Sequence, residues 1–198
     1  MRANEYLTPS PVFTRAVSVL RSELAHVVRA ASNISGDRDV IVIGSQAILG
    51  TYEESELPPR VTMSREADLA FWDDEEEAKS DKVDGAIGEG SSFDEMYGYY
   101  AQGVSVSTAN LPWGWRDRLV RFQSNSTEPG TAWCLDAHDL VLAKLSAGRE
   151  KDYEYADALI EARKISTSTL LDRVATMAIS PVHIRRIRQW VEYRHTGI

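Results

Sequence analysis

Residues 40–43 (VIVI) constrain the fold more than any other segment, because all four are β-branched aliphatic residues. A fully apolar run of this length predicts a short strand buried on both faces, as in parallel and mixed sheets. Gly44 and Ser45 end the run, and residues 46–49 open a short helix. Backbone N–H groups at a helix start, together with a serine hydroxyl, form a cradle for phosphate. The segment therefore predicts a strand and a turn that either holds phosphate or only reverses the chain.

A second strand is predicted over residues 66–72, where apolar and polar positions partly alternate. Alternation places Glu66 and Asp68 on the same face. Two neighbouring carboxylates repel each other unless a positive charge lies between them, and Mg²⁺ prefers oxygen ligands of this kind. The pair therefore predicts a magnesium site, or else an exposed strand face with two solvated acids.

The third segment is a predicted helix that starts after the capping residue Asp136 and ends at Gly148. Lys144 lies in an otherwise apolar part of this helix, so its amine must extend to solvent or pair with a negative group. Asp152 is expected to cap the following helix, and the turn between them can bring Lys144, Arg149 and Asp152 into one cleft.

Together these segments resemble the nucleotidyltransferase superfamily. More narrowly, they resemble the minimal nucleotidyltransferases that act as toxins in AbiE-type (type IV) and MenAT-type toxin–antitoxin pairs. The resemblance extends from about residue 40 to residue 160. Its most specific motif is a helical DLxxxKLxAxRxKD segment, because it fixes eight identities in fourteen residues. The matching residues are Gly44, Ser45, Ser64, Glu66, Asp68, Asp139, Leu140, Lys144, Leu145, Ala147, Arg149, Lys151 and Asp152.

The resemblance implies transfer of a nucleotidyl group from a nucleoside triphosphate to a hydroxyl, with Mg²⁺ as cofactor. Glu66 and Asp68 would hold the metal, and Gly44, Ser45 and Arg149 would bind phosphates. Lys144 would neutralise charge on the triphosphate, and Asp152 would orient Lys144, the metal or the acceptor. The implied partners are an antitoxin protein and RNA, with the 3′ acceptor end of tRNA as the favoured substrate.

Two departures from the family pattern bear on this reading. Glu66 stands where aspartate is usual, and its side chain is one methylene longer. The third strand, predicted over residues 103–107, carries no acid, whereas larger nucleotidyltransferases usually place a third carboxylate there. Two alternatives therefore stay open: transfer to a protein or small molecule, and a catalytically degenerate fold that only binds a nucleotide or a partner.

Basic residues beside aromatic ones suggest where RNA would bind. The candidates are Arg116 and Arg118, next to Trp113 and Trp115, and the last helix with Arg185, Arg186 and Arg188. Because the formal net charge is −8, such patches must be separate from the acidic stretch over residues 73–84. Ser64 is a possible regulatory phosphosite, since a phosphate there would add negative charge beside Glu66 and Asp68.

The predicted architecture is α/β (α+β): a nucleotidyltransferase-like mixed sheet with flanking helices over residues 1–135, and a C-terminal helical subdomain over residues 136–198. Helices are expected over residues 13–31, 136–147, 152–164, 168–178 and 181–195, and two further strands over residues 119–122 and 131–135. Hydrophobic residues make up 43% of the chain, which excludes a wholly disordered protein. One cysteine, no membrane-length apolar run and no signal peptide in residues 1–13 predict a cytoplasmic protein without membrane contact.

Overall fold

The computed structural model describes residues 19–196. Its strands are β1 (Asp39–Val42), β2 (Glu66–Phe71), β3 (Tyr100–Gly103), β4 (Val120–Phe122) and β5 (Thr131–Cys134). Its α-helices are α1 (Arg21–Ser35), α2 (Pro59–Thr62), α3 (Ala78–Ile87), α4 (Ser92–Tyr97), α5 (Ala137–Ala147), α6 (Glu150–Glu161), α7 (Thr167–Val174) and α8 (Pro181–His195). Four 3₁₀ helices complete the described part: Ser45–Gly50, Glu54–Glu56, Val106–Thr108 and Trp115–Arg118.

The five strands form one mixed sheet in the order β3-β2-β1-β5-β4. β1 is parallel to β5 and antiparallel to β2, while β2 is parallel to β3. Strand β1 lies in the centre, and its residues Val40, Ile41 and Val42 are fully buried. This confirms the predicted α/β fold with a mixed sheet and flanking helices.

The helices after the sheet share its hydrophobic core. Leu140 and Leu145 of α5, Leu159 of α6 and Ile187 of α8 are almost completely buried, in the same cluster as strand β1. Burial of apolar surface at about 25 cal/mol per Å² is the main stabilising contribution here. Helix α5 contacts the 3₁₀ helix Ser45–Gly50 that follows β1, and α6 packs on α5. The polar side chains of α5 and α6 therefore lie at a fixed place relative to the end of β1.

Helix α5 begins and ends as predicted. The Asp136 side chain accepts a hydrogen bond from the His138 N–H, and Gly148 ends the helix with a positive φ of 72°. Helix α8 likewise begins at the predicted Ser180-Pro181 pair.

Several predicted bounds were wrong. The third strand is Tyr100–Gly103, not residues 103–107, because it pairs with β2 from Glu66 to Leu69. Helix α7 ends at Val174 rather than near residue 178. The first helix extends to Ser35, four residues further than expected, and ends at Gly36. The parts of the predictions that fall on residues 1–18 lie outside the described residues. No helix in the described range, 19–196, is both long and apolar enough to span a membrane.

Candidate active site

The ends of two antiparallel strands bring Gly44 against Asp68. Strand β1 runs opposite to β2, with Val42 paired to Leu69, and the Ile43 N–H donates to the Asp68 carbonyl oxygen at 3.0 Å. A Cβ atom added to Gly44 would lie 1.5 Å from Asp68 Oδ2. The Asp68 carboxylate therefore lies directly on the backbone of the Gly-Ser turn, in space that only glycine leaves open.

The two predicted acids of β2 interact with each other. Burial above all, and then the hydrogen bond to Glu66 and the charge of Glu66, together raise the pKa of Asp68 to about 7. The Tyr100 hydroxyl, on the neighbouring strand, donates to Glu66 Oε2 at 3.4 Å. Charging both carboxylates is unfavourable in this environment, so the pair favours a positive partner.

Lys144 joins helix α5 to the Gly-Ser turn. Its Nζ donates to Ser45 Oγ at 2.8 Å, and the Tyr155 hydroxyl donates to the Ser45 carbonyl oxygen at 3.0 Å. The same Nζ lies 4.5 Å from the centroid of the Tyr155 ring. Burial lowers the pKa of Lys144, and the nearby charge of Asp152 opposes that shift. The largely buried Lys144 amine thus lies against the Gly-Ser turn, near the Ser45 hydroxyl, the Tyr155 ring and the Asp152 carboxylate.

Asp152 is completely buried and holds two cations. Its Oδ1 lies 3.6 Å from Lys144 Nζ, and both of its oxygens accept from the Arg149 guanidinium, at 2.7 and 3.2 Å. The expectation that Asp152 caps α6 was wrong. The N-cap is Arg149, and Asp152 is the third helical residue, whose carboxylate accepts the Arg149 N–H at 3.3 Å. This reach from the third residue back to the cap is one half of a capping box.

Four of these residues, Gly44, Asp68, Lys144 and Arg149, line a small cleft of about 170 Å³. They form its polar part, and Arg149 leaves 59% of its side chain exposed. The structure therefore brings together the residues that the sequence placed in the phosphate and metal sites. A cleft lined by the Asp68 carboxylate, a buried lysine and an exposed arginine is suited to holding a phosphorylated ligand and its counter-ion.

The carboxylate pair fits a divalent cation with few protein ligands. Within residues 19–196 no group of three or more His, Cys, Asp or Glu side chains could hold a metal. Mg²⁺ is commonly bound through one or two carboxylates together with substrate phosphates. Glu66 and Asp68, with the raised pKa of Asp68, have the donor set that this mode requires.

Comparison with known proteins gives one family. Residues 22–195 match the family described as nucleotidyltransferase of unknown function (DUF6036). The chain belongs to this nucleotidyltransferase family. No curated protein and no solved structure gives a significant match.

The family assignment agrees with the superfamily that the motifs indicated and leaves the toxin subfamily a prediction. In this nucleotidyltransferase the third strand still carries no acid: Gln102 is the residue paired with Asp68. An exposed amide therefore stands beside the carboxylate pair.

The arginines predicted to bind RNA lie in different surroundings. Arg118 Nε donates to Oδ2 of the buried Asp139 at 2.8 Å, which ties it to the protein interior. Arg188 pairs with Glu192 on the same helix at 3.0 Å. The Arg186 guanidinium lies over Gly148, since a Cβ there would be 2.8 Å from Arg186 Nη2. Helix α8 thus places Arg186 beside the turn that carries Arg149.

Arg116 is not separated from the acidic stretch, although the sequence made that separation a condition for RNA binding at this patch. It lines a cavity of about 410 Å³ together with Asp73, Asp74 and Glu75. This exposed guanidinium therefore meets carboxylates as well as the neighbouring tryptophans. The Arg185 side chain is exposed on α8.

Ser64 lies at the entrance to β2. Its hydroxyl oxygen accepts from the Glu66 N–H at 3.2 Å, and its carbonyl oxygen accepts from the side chain of the buried Gln46 at 3.0 Å. Ser64 thus lies two positions before the first residue of β2, and its hydroxyl is bonded to the backbone N–H of Glu66.

Sequence reasoning missed Tyr155 and Tyr100. Tyr155 lies one helical turn after Asp152, so the spacing of three residues could have placed it on the same face. Tyr100 had no such signal, because its position depends on the pairing of β3 with Glu66 in β2.

Proposed function

We propose that this protein is a magnesium-dependent nucleotidyltransferase that transfers a nucleotidyl group from a nucleoside triphosphate to a hydroxyl of RNA, most directly at the 3′ acceptor end of tRNA. The observation that carries the proposal is the contact of Lys144 with Ser45 across the cleft from Asp68. It combines a phosphate cradle, a desolvated cation and a carboxylate pair in one place.

The arrangement suits transfer chemistry that depends on position and charge. A hydroxyl attacks the α-phosphorus, the bond from that phosphorus to the β-phosphate oxygen breaks, and pyrophosphate leaves. The Ser45 turn and Lys144 are placed to hold the phosphates and offset the charge on the leaving pyrophosphate. Arg149, fixed by Asp152, supplies a second cation at the rim. Glu66 and Asp68 would hold Mg²⁺, which supplies charge neutralisation at phosphate oxygens when bound.

RNA as acceptor is supported by arginine and aromatic groups near the cleft. Arg186 lies beside the Arg149 turn, and Arg116 lies on the rings of Trp72 and Trp115. Trp72 and Trp115 are partly buried, and arginine beside accessible aromatic faces is a usual surface for unpaired RNA bases.

A toxin role follows from the resemblance of the motifs. In that role the enzyme blocks translation by extending tRNA ends, and a separate antitoxin protein restrains it. Phosphorylation of Ser64 is a proposed means of restraint, because the added charge would lie beside Glu66.

The test combines acceptor labelling with growth. Purified protein, Mg²⁺ and each α-labelled nucleoside triphosphate are incubated with total tRNA, with Asp68→Ala as the inactive variant and Asp81→Ala, on the exposed face of α3, as the matched control. We expect label on tRNA with wild type and Asp81→Ala, and growth arrest when either is expressed in cells.

Label on protein or on a small molecule instead of RNA would favour the alternative acceptors. Arrest that persists in Asp68→Ala would contradict a catalytic toxin and favour a degenerate binding module.

A further inference from the structure

Two further cavities adjoin the active-site cleft, and a third adjoins those two. The cleft shares Val104 with a cavity of about 410 Å³ and Ala109 with one of about 260 Å³. Val106 lines both of those cavities, and Arg116 lines them and a third of about 440 Å³. Their shared lining residues place these cavities in series between the Asp68 carboxylate and the loop around Arg116. We call this series the groove.

Two partly buried aromatic rings stack on each other along this groove, and one exposed guanidinium lies over both. The ring centroids of Trp72 and Trp115 lie 6.0 Å apart with an angle of 20° between the rings. The Arg116 guanidinium carbon lies 5.1 Å from the Trp72 centroid and 5.6 Å from the Trp115 centroid. Trp72 directly follows β2, the strand of Asp68. We call Trp72, Trp115 and Arg116 the stacking shelf.

The loop that carries the shelf is held by contacts beneath it. Arg118 donates to the Trp113 carbonyl oxygen at 3.0 Å and to the buried Asp139 at 2.8 Å. The Trp113 N–H donates to the Thr176 carbonyl oxygen at 3.2 Å. Trp113 itself is 84% exposed, so its ring is presented to solvent by a fixed backbone. A surface held in its binding conformation loses little entropy when a ligand stacks on it.

The charge around the shelf selects the uncharged part of a nucleotide. Asp73, Asp74 and Glu75 line the same cavity as Arg116. Phosphate would be repelled by these carboxylates, whereas the flat face of a base stacks on tryptophan and arginine without carrying charge. The cations that suit phosphate lie instead in the cleft, at Lys144 and Arg149.

We propose that the stacking shelf binds an unpaired base near the 3′ end of the acceptor RNA while the terminal hydroxyl lies at the carboxylate pair. This inference rests on the proposed function and adds to it a separate base-binding site beside the cleft, which favours RNA with a single-stranded 3′ end over a blunt duplex. The shelf is a binding surface and takes no part in the chemical step.

Direct binding tests the shelf without the reaction. A dye-labelled RNA hairpin with a short single-stranded 3′ overhang is titrated with protein in the absence of nucleotide, alongside the same hairpin with a blunt end. Base stacking on an aromatic ring predicts that Trp115→Ala weakens overhang binding by about 5- to 100-fold. The exposed Arg116→Ala should act in the same direction, and Trp115→Phe should retain most of the affinity. Tyr193→Ala, which removes another exposed ring outside the groove, is the matched control.

Equal overhang affinity in wild type, Trp115→Ala and Arg116→Ala would overturn the proposal and leave the shelf as a surface for a protein partner. Lost affinity for nucleoside triphosphate with unchanged overhang affinity would also overturn it, because the shelf would then hold the base of the donor nucleotide.

Binding and transfer measurements distinguish failure of the stacking shelf from failure of the proposed function. If wild type binds the overhang through the shelf but transfers no label to RNA, the shelf is supported and the proposed function is contradicted. If label is transferred and Trp115→Ala keeps the wild-type kcat/KM for RNA, the proposed function is supported and the shelf is contradicted.

Discussion

At the scale of single residues, the buried position of the Asp68 carboxyl beside Glu66 lowers the stability of the fold when that carboxyl is ionised. The ordinary pKa of its carboxyl is 3.8, whereas burial and Glu66 raise the pKa to about 7 in the folded protein. The folded state therefore binds this proton more tightly, and its stability falls as pH rises from about 4 to about 7. Asparagine at this position never ionises. We expect Asp68→Asn to be more stable than wild type at pH 8, by on the order of 1–4 kcal/mol, and close to wild type at pH 4.

Thermal unfolding without divalent cations, at pH 4 and pH 8, measures this difference. Asp81→Asn, on the exposed face of α3, is the matched control and should not change the pH dependence. Added Mg²⁺ should raise the Tm of wild type at pH 8 and leave Asp68→Asn unchanged. A pH-independent difference between Asp68→Asn and wild type would contradict this account of the carboxylate pair.

Lys144 has a matched control elsewhere in the chain. Lys144 Nζ lies 4.5 Å from the Tyr155 centroid, and Lys164 Nζ lies 4.6 Å from the Tyr52 centroid, away from the cleft. Removing a preorganised cation from a phosphoryl-transfer site costs about 10²–10³ in rate. We expect that loss in kcat/KM for Lys144→Met and less than about a twofold change for Lys164→Met. Comparable losses in both variants would show that Lys144 acts through stability alone.

Residue roles were predictable where the local pattern determined them. A lysine in an apolar helix needs a negative partner, and Lys144 has Asp152. The role of Asp152 in α6 was not predictable from its type, because aspartate is favoured both at the N-cap and in the first turn. In the structure Arg149, directly after Gly148, is the N-cap of α6, so Asp152 is the third residue inside that helix.

At the scale of secondary-structure elements, the turn after β1 depends on close packing against β2. A Cβ on Gly44 would overlap Asp68 Oδ2, and the backbone φ of −79° at Gly44 is one that any residue adopts. Space, rather than backbone conformation, requires glycine here. Gly44→Ala should therefore displace the carboxylate and lower activity by about 100-fold or more. It should also destabilise the fold by about 1–3 kcal/mol.

Gly85→Ala is the control for Gly44→Ala, because a Cβ at Gly85 in α3 meets no atom within 4 Å. It should keep full activity and gain up to about 1 kcal/mol in stability. The free energy of unfolding and kcat/KM of the two variants check the pair. Wild-type activity in Gly44→Ala would show that the carboxylate does not need its present position.

Helices and strands were predicted correctly where the hydrophobic pattern or the capping residues were strong. The prediction failed for a strand whose bounds depend on pairing with a distant strand. The apolar run of β1 and the caps of α5 and α8 are local signals. Strand β3, with the sequence YAQG, has little β-branched character. It forms because it pairs with β2 and lies under α3, so close that a Cβ on Gly103 would be 2.1 Å from the Ser80 carbonyl oxygen.

At the scale of the whole molecule, one hydrophobic core joins the sheet to the helices that complete the site. Gly44 and Asp68 come from the sheet, whereas Lys144, Arg149 and Asp152 come from α5, the turn after it and α6. The family match over residues 22–195 covers both parts. The cleft therefore depends on the packing of the C-terminal helices against the sheet.

The most direct test of nucleotidyl transfer compares two positions of label in the same nucleotide. Each nucleoside triphosphate is supplied with label at either the α- or the γ-phosphate, with Mg²⁺, RNA bearing a single-stranded 3′ end, and wild-type or Asp68→Asn protein. The account predicts that α-label enters RNA, that γ-label is released as pyrophosphate, and that Asp68→Asn does neither. Transfer of the γ-label, or bound nucleotide with no transfer from either position to any acceptor, would contradict it.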